Sequence, residues 1–261
     1  MKLLLIDLEI RVGSLSCIDH EWKSYSYMIF FIKRIRALAT FWISEFSIKH
    51  LQLIRAYEIQ FALRFIPADV KNIVEIGGGV GWQVKELKKH GFQVRSFDVE
   101  SSNYAEKKND LVELYDGKNL PIRDGSMDLV FSSNVLEHIA DTRSTMLEQM
   151  RVLRQGGYCL HILPSTSWRF WTSFTDILKK WYLTPPHGEL SDTLIGELLD
   201  FRRSAWKKRF TDSGFEVIKV VPGGIFCTGN AVFSERLGVK ERKLLSRFFG
   251  SSCNYFVLKK L

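Results

Sequence analysis

The sequence predicts an α/β fold: a seven-stranded, mostly parallel sheet with helices on both faces. Short apolar runs alternate with helical segments from residue 72 onward. A glycine-rich turn sits at the junction of the first such run and the first helix that follows it. Of 261 residues, 46% are hydrophobic and 25% charged, the make-up of a globular chain long enough to bury a core.

Taken in order, residues 1–25 show no clear period. Residues 26–47 predict a helix with Phe31, Ile35, Leu38 and Trp42 on one side, interrupted by Lys33, Arg34 and Arg36. Such a face either packs on its own domain or lies on a membrane surface. A second helical stretch, 50–66, leads to Pro67. Apolar runs at Asn72–Ile76, Phe92–Asp98, Leu111–Tyr115, Asp128–Ser132 and Gly157–Leu163 predict buried strands. Between them, Gly81–His90, Ser101–Lys108 and Thr142–Arg154 predict helices. Alternation of this kind implies parallel strands joined by right-handed crossovers. Two more strands are expected at Phe215–Val221 and Asn254–Leu258, after an irregular stretch. The expected organisation is an N-terminal, partly helical extension over 1–50, then one domain over 51–261 with an insertion at about 165–203.

Charge is unevenly spread. The formal net charge is +8, and residues 151–261 hold 18 basic against 9 acidic side chains. This favours a partner bearing phosphates, such as an anionic membrane, a phosphorylated small molecule or nucleic acid. Cys17, Cys159, Cys227 and Cys253 form no C-x-x-C, and no His pair has zinc-site spacing, so no disulfide framework or metal is expected. A reducing, cytoplasmic setting fits, with peripheral contact at the inner membrane surface an extension of the same reading. Asp7 and Glu9 end the N-terminal apolar run before a signal-peptide core forms. No stretch approaches the roughly 18 apolar residues that span a bilayer.

The strongest motif is Val74-Glu75-Ile76-Gly77-Gly78-Gly79-Val80-Gly81-Trp82, between a predicted strand and a predicted helix. Glycine is needed where the chain reverses and any Cβ would hold a ligand off the backbone. The dinucleotide fingerprint G-x-G-x-x-G fails, because its third glycine would fall on Trp82. The pattern is instead G-x-G-x-G at 77, 79 and 81, preceded by Glu75. This resembles motif I of the class I S-adenosylmethionine-dependent methyltransferases, which implies a Rossmann-like sheet and that cofactor.

Further positions extend the resemblance from about Ile73 to Leu163. Asp98 ends the second strand, where a carboxylate meets ribose hydroxyls. Asp116-Gly117 precedes Asp124-Gly125-Ser126, and the adenine amino group falls by resemblance to Asp116. The fourth strand ends Ser133-Asn134-Val135-Leu136-Glu137-His138, and Arg151–Gly157 follows the next helix, as in the subgroup acting on small molecules, quinones and sugars. Gln155 stands where that subgroup more often has Pro. The resemblance implies cofactor contacts from Glu75, Gly77, Gly78, Gly79, Gly81, Asp98, Val99, Asp116, Gly117, Ser133 and Asn134.

For the acceptor, His138 and His187 are the candidate general bases if a hydroxyl is methylated. His138 follows the fourth strand; His187 lies in Pro185-Pro186-His187-Gly188-Glu189, within the insertion. His161, inside the fifth strand, reads as a core residue. Trp168, Trp171, Phe174, Leu178 and Trp181 recur at helical spacing, as a face packed on the sheet domain or a lid over an apolar acceptor. Arg202, Arg203, Lys207, Lys208 and Arg209 surround Trp206 as a basic patch. The Pro185–Glu189 element, the aromatic insertion and the stretch from Phe226 are loosely similar to bacterial polysaccharide-cluster methyltransferases. The expected acceptor is a small, sugar-like or lipid-linked molecule, methylated at oxygen. The alternatives are RNA methylation through the basic C-terminal region and a non-catalytic nucleoside-binding protein.

Overall fold

The computed structural model describes residues 29–31, 33, 34, 48–102, 109–180, 182, 183, 185–227 and 237–261. The chain divides into two units, residues 1–42 and 43–261. In the first, residues 29–31, 33 and 34 are helical and exposed; the rest of the helix expected over 26–47 lies outside the described residues. The helix expected over Ser101–Lys108 is likewise outside them beyond residue 102.

The second unit is built on a seven-stranded sheet. Its strands are β1 (Asn72–Ile76), β2 (Gln93–Val99), β3 (Val112–Tyr115), β4 (Met127–Ser133), β5 (Leu153–Pro164), β6 (Phe215–Pro222) and β7 (Cys253–Lys260). They lie in the order β3-β2-β1-β4-β5-β7-β6. The first five pair in parallel, and β7 runs antiparallel to both β5 and β6. Alternate residues feed two apolar layers, one on each face. Val74, Ile76 and Val130 enter one core; Ile73, Leu129 and Phe131 enter the other. Burial on both faces is what turns these strands into near-continuous apolar runs.

The described helices are α1 (Ile48–Ala62), α2 (Trp82–Lys89), α3 (Thr142–Val152), α4 (Thr166–Lys180), α5 (Leu194–Asp200), α6 (Arg203–Asp212) and α7 (Val239–Phe249). Asp141 caps α3 by accepting the Ser144 N–H at 3.0 Å, which satisfies one of the free donors of the first turn. That helix ends two residues before the expected Arg154, because Leu153 is already extended. Arg154 there pairs with Asp128 of β4 and with Asp69, both at 2.7 Å, contacts that an extended segment beside β4 supplies. Helix α7 falls in a stretch with no clear pattern in the sequence. Its Arg242 is fully buried and donates to the carbonyls of Phe226 and Leu237.

Helices α4, α5 and α6 form the insertion between β5 and β6. The face expected on α4 is only partly packed: Trp168 and Trp171 are half-buried against His187 and Phe249, Phe174 is exposed, and the side chains of Leu178 and Trp181 lie outside the described residues. Beside it, Phe170 and Ile177 are exposed, whereas Arg169, Thr172, Ser173, Thr175 and Asp176 are buried. Polar residues can take the inner face because ion pairs and hydrogen bonds satisfy them, as with Arg169 and Glu197. The basic patch on α6 is partly engaged within the chain. Trp206 is fully buried, Arg209 pairs with Asp200 and stacks on Trp206, Arg203 donates to Asn254 at 2.7 Å, and Lys208 pairs with Asp212.

Candidate active site

The cofactor cleft lies at the carboxyl ends of β1, β2, β3 and β4, the edge at which open α/β sheets bind ligands. Its floor is the turn from β1 to α2. Gly77 and Gly78 both donate to the Phe97 carbonyl, at 2.7 and 3.0 Å, pinning the turn to β2. Gly77, Gly79 and Gly81 all have positive φ, which any Cβ would strain. A Cβ on Gly77 would overlap Val135, and one on Gly78 would overlap Ser96.

Glu75 lies beneath this turn, outside the cleft lining. It is 1% exposed and accepts the Ser96 hydroxyl at 2.6 Å. Burial pushes its carboxyl up to about 7. Asp98, at the end of β2, lines the cleft and accepts the Gly79 N–H at 2.7 Å, the Val99 N–H at 2.8 Å and the Ser102 hydroxyl at 3.2 Å. Its carboxylate is therefore oriented before a nucleoside arrives.

Asp116 behaves differently from its neighbours. It is exposed, and it accepts the N–H groups of Lys118 and Asn119 at 2.8 and 2.7 Å and the Asn119 amide at 3.0 Å. Those bonds hold its carboxyl below the usual range. The cleft wall at this point is Gly117 with Tyr115. Gly81 also lies outside the lining, opening α2 as its N-cap with Asn109 against it.

At the other end, β4 delivers Ser133 and Asn134 to the cleft. Asn134 is the one described non-glycine residue with positive φ, at 54°, a conformation Asn tolerates better than most. Its N–H donates to the Ile162 carbonyl at 2.8 Å, which fixes it beside β5. His161 is buried in β5 as expected, bonded to Ser132 at 2.8 Å and stacked on Phe210.

Residues Leu136–His138 form a single 3-10 turn, and the insertion docks onto it. The Glu189 N–H donates to the Glu137 carbonyl at 2.8 Å, and a Cβ on Gly188 would overlap that same carbonyl. This brings His187 against His138, with ring centroids 4.6 Å apart; Trp168 closes on His187 at 4.9 Å. Glu197 holds the loop by accepting the N–H groups of His187 and Gly188 at 2.5 and 2.7 Å. Its other oxygen pairs with Arg169, which donates to the Pro185 carbonyl at 2.9 Å. His138 and Glu189 line the cleft, whereas His187 stands behind His138. Arg169, Glu197 and Glu189 are thus site-shaping residues that no local motif marks.

The cleft is about 630 Å³, within the range of small-molecule and cofactor sites. A side-chain-free turn, an oriented carboxylate at one end and β4 at the other fit an elongated nucleoside carrying an amino-acid tail. A methyltransferase-domain family model matches residues 74–161. Residues 74–161 are thus a methyltransferase domain, and S-adenosylmethionine is the cofactor that it supports. Over 106 residues the domain is 33% identical to a malonyl-[acyl-carrier protein] O-methyltransferase of Hahella chejuensis, covering 37% of this chain and 38% of that protein. It is 32% identical over 97 residues to norajmaline N-methyltransferase of Rauvolfia serpentina, covering 33% of each. The chain thus spans less than two fifths of the length of these relatives. Its fold is that of an S-adenosylmethionine-dependent methyltransferase from Thermotoga maritima. That structure has a TM-score of 0.56 at 18% identity, covering 82% of this chain and 94% of the other. Among the described residues, no helix is long and apolar enough to cross a membrane.

Proposed function

We propose that the protein transfers a methyl group from S-adenosylmethionine to a hydroxyl of a small, sugar-like or lipid-linked acceptor. The observation that carries this reading is the docking of Pro185–Glu189 onto the Leu136–His138 turn, which puts Glu189 and His138 on the cleft rim with His187 packed behind. The cofactor brings an already activated methyl on a sulfonium, so the chain's task is placement and water exclusion. Asp98 would accept the ribose hydroxyls, the 77–79 turn would admit the amino-acid end, and Gly117 would pass the adenine edge. Asp116 would act through its turn, with its carboxylate accepting an adenine amine only if it leaves Lys118 and Asn119. Glu75 and Gly81 would shape the turn from behind.

A neutral His138 on the rim would take the acceptor proton. Partial burial holds its imidazole below the ordinary value, so it is free to accept a proton at neutral pH. Support for a lipid-linked acceptor comes from the exposed Phe170, Phe174 and Ile177 of α4, and from Leu244 and Phe248 of α7. The two helices meet where the Trp171 indole donates to the Phe249 carbonyl at 2.9 Å. With the basic segment 151–261, such a surface suits peripheral contact with anionic lipid.

The test is methyl-labelled cofactor offered with free saccharides, lipid-linked saccharides and RNA. Label on a saccharide oxygen is the expected result. Label on RNA alone, or on nitrogen alone, would refute the acceptor assignment.

A further inference from the structure

The turn that ends β4 holds a cluster that the cofactor cleft does not use. Glu137 is 0% exposed, yet neither carboxylate oxygen has a hydrogen-bond partner on another described residue. A buried carboxylate in that condition is costly unless something compensates it. The Arg55 cation acts on it from a distance, and two imidazoles stand beside it. The His138 Nε2 lies 4.0 Å from Glu137 Oε1, and one ligand atom each from Glu137, His138 and His187 falls within 4.8 Å of the other two.

We propose that Glu137, His138 and His187 form a binding site for one divalent transition-metal ion at the edge of the methyl-transfer cleft. Two imidazoles and one carboxylate are a ligand set suited to zinc, iron or manganese, with positions left open for a substrate. Bond lengths of roughly 2.0–2.2 Å bring ligand atoms within about 3–4 Å of one another. Small side-chain rotations of the two exposed imidazoles close the observed spacing, while buried Glu137 stays fixed. Arg169 and Glu197 hold the loop that carries His187 from outside the ligand set, the arrangement by which outer groups fix metal ligands.

Because His138 also lines the cleft, open positions on the ion face the space where an acceptor must lie. The ion would hold an acceptor through a hydroxyl and ease loss of the hydroxyl proton to water. If His138 serves the ion, it is no longer the base of the metal-free reading. The acceptor role rests on the methyl-transfer reading; binding of the ion does not. The sequence hides the site, because His138 and His187 meet only through the docking of Gly188 onto the Glu137 carbonyl.

The test uses tag-free full-length protein, stripped by chelator and titrated with Co²⁺ while visible ligand-field bands are followed. Saturation at one Co²⁺ per chain, with displacement by Zn²⁺, is expected. His187→Ala removes an exposed ligand and should keep the fold. It should weaken Co²⁺ by more than about 100-fold, beyond the roughly 10–100-fold known for outer-shell losses. Glu137→Gln, which preserves shape, should do the same. No saturable binding, or unchanged affinity in His187→Ala, would overturn the site. S-adenosylhomocysteine is titrated on the same samples. Its binding without Co²⁺ binding removes the metal site alone, and Co²⁺ binding without it removes the methyl-transfer reading alone.

Discussion

At the residue scale, the two acids beside the glycine turn do different work, and substitutions separate them. Asp98 faces the cleft with its oxygens fixed by Gly79, Val99 and Ser102. Asp98→Ala should weaken cofactor binding by about 1–3 kcal/mol through lost hydrogen bonds to a charged group, with the melting temperature little changed. Unaltered calorimetric affinity would take Asp98 out of the site. Glu75 instead faces the core, and its raised pKa bears on stability. A carboxyl whose folded value exceeds its unfolded one favours the neutral form. Its contribution is whole below the ordinary 4.5 and is lost as pH rises through about 7. Stability should therefore fall between about pH 4.5 and pH 7. In the metal-free protein Glu137, pushed up to about 8, extends the decline to about pH 8. Glu75→Gln should flatten the slope of melting temperature against pH without abolishing it; identical slopes in mutant and wild type would contradict this. The glycines and Asp98 are legible in the sequence because their requirements are local: positive φ, a close approach, a strand end. The engaged state of Asp116 is not, since its partners Lys118 and Asn119 show only in the folded turn.

At the element scale, the insertion is held by few strong contacts. Arg169 and Glu197 are both essentially buried, and Glu197 also anchors the backbone of His187 and Gly188. Removing one partner of a buried pair leaves an uncompensated charge, a loss of about 3–5 kcal/mol. Glu197→Ala should lower stability by that order and speed proteolysis within residues 181–190; wild-type proteolysis would show that the loop is held otherwise. The central strands are legible because burial on both faces makes them near-continuous apolar runs, as in Cys253–Leu258. The buried polar stripe of α4 is not, because Thr172 and Asp176 carry no apolar signal and Phe174 does, although Phe174 is exposed. Only tertiary ion pairs and hydrogen bonds let such polar residues be buried. Helix α7 escapes notice for a related reason: its buried Arg242 breaks an apolar face that its partners Phe226 and Leu237 restore.

At the scale of the whole molecule, four strands and the turns at their carboxyl ends build the cofactor cleft, and the insertion between β5 and β6 folds back over its rim. Cofactor recognition should therefore depend on the 77–79 turn and survive loss of the insertion's side chains. The most direct test is calorimetric titration of the full chain with S-adenosylmethionine, S-adenosylhomocysteine and NADH, alongside Gly79→Arg. The account predicts saturable binding of both adenosyl compounds, none of NADH, and folded but non-binding Gly79→Arg. A folded wild-type protein that binds neither adenosyl compound, or a Gly79→Arg variant that binds them normally, would contradict it.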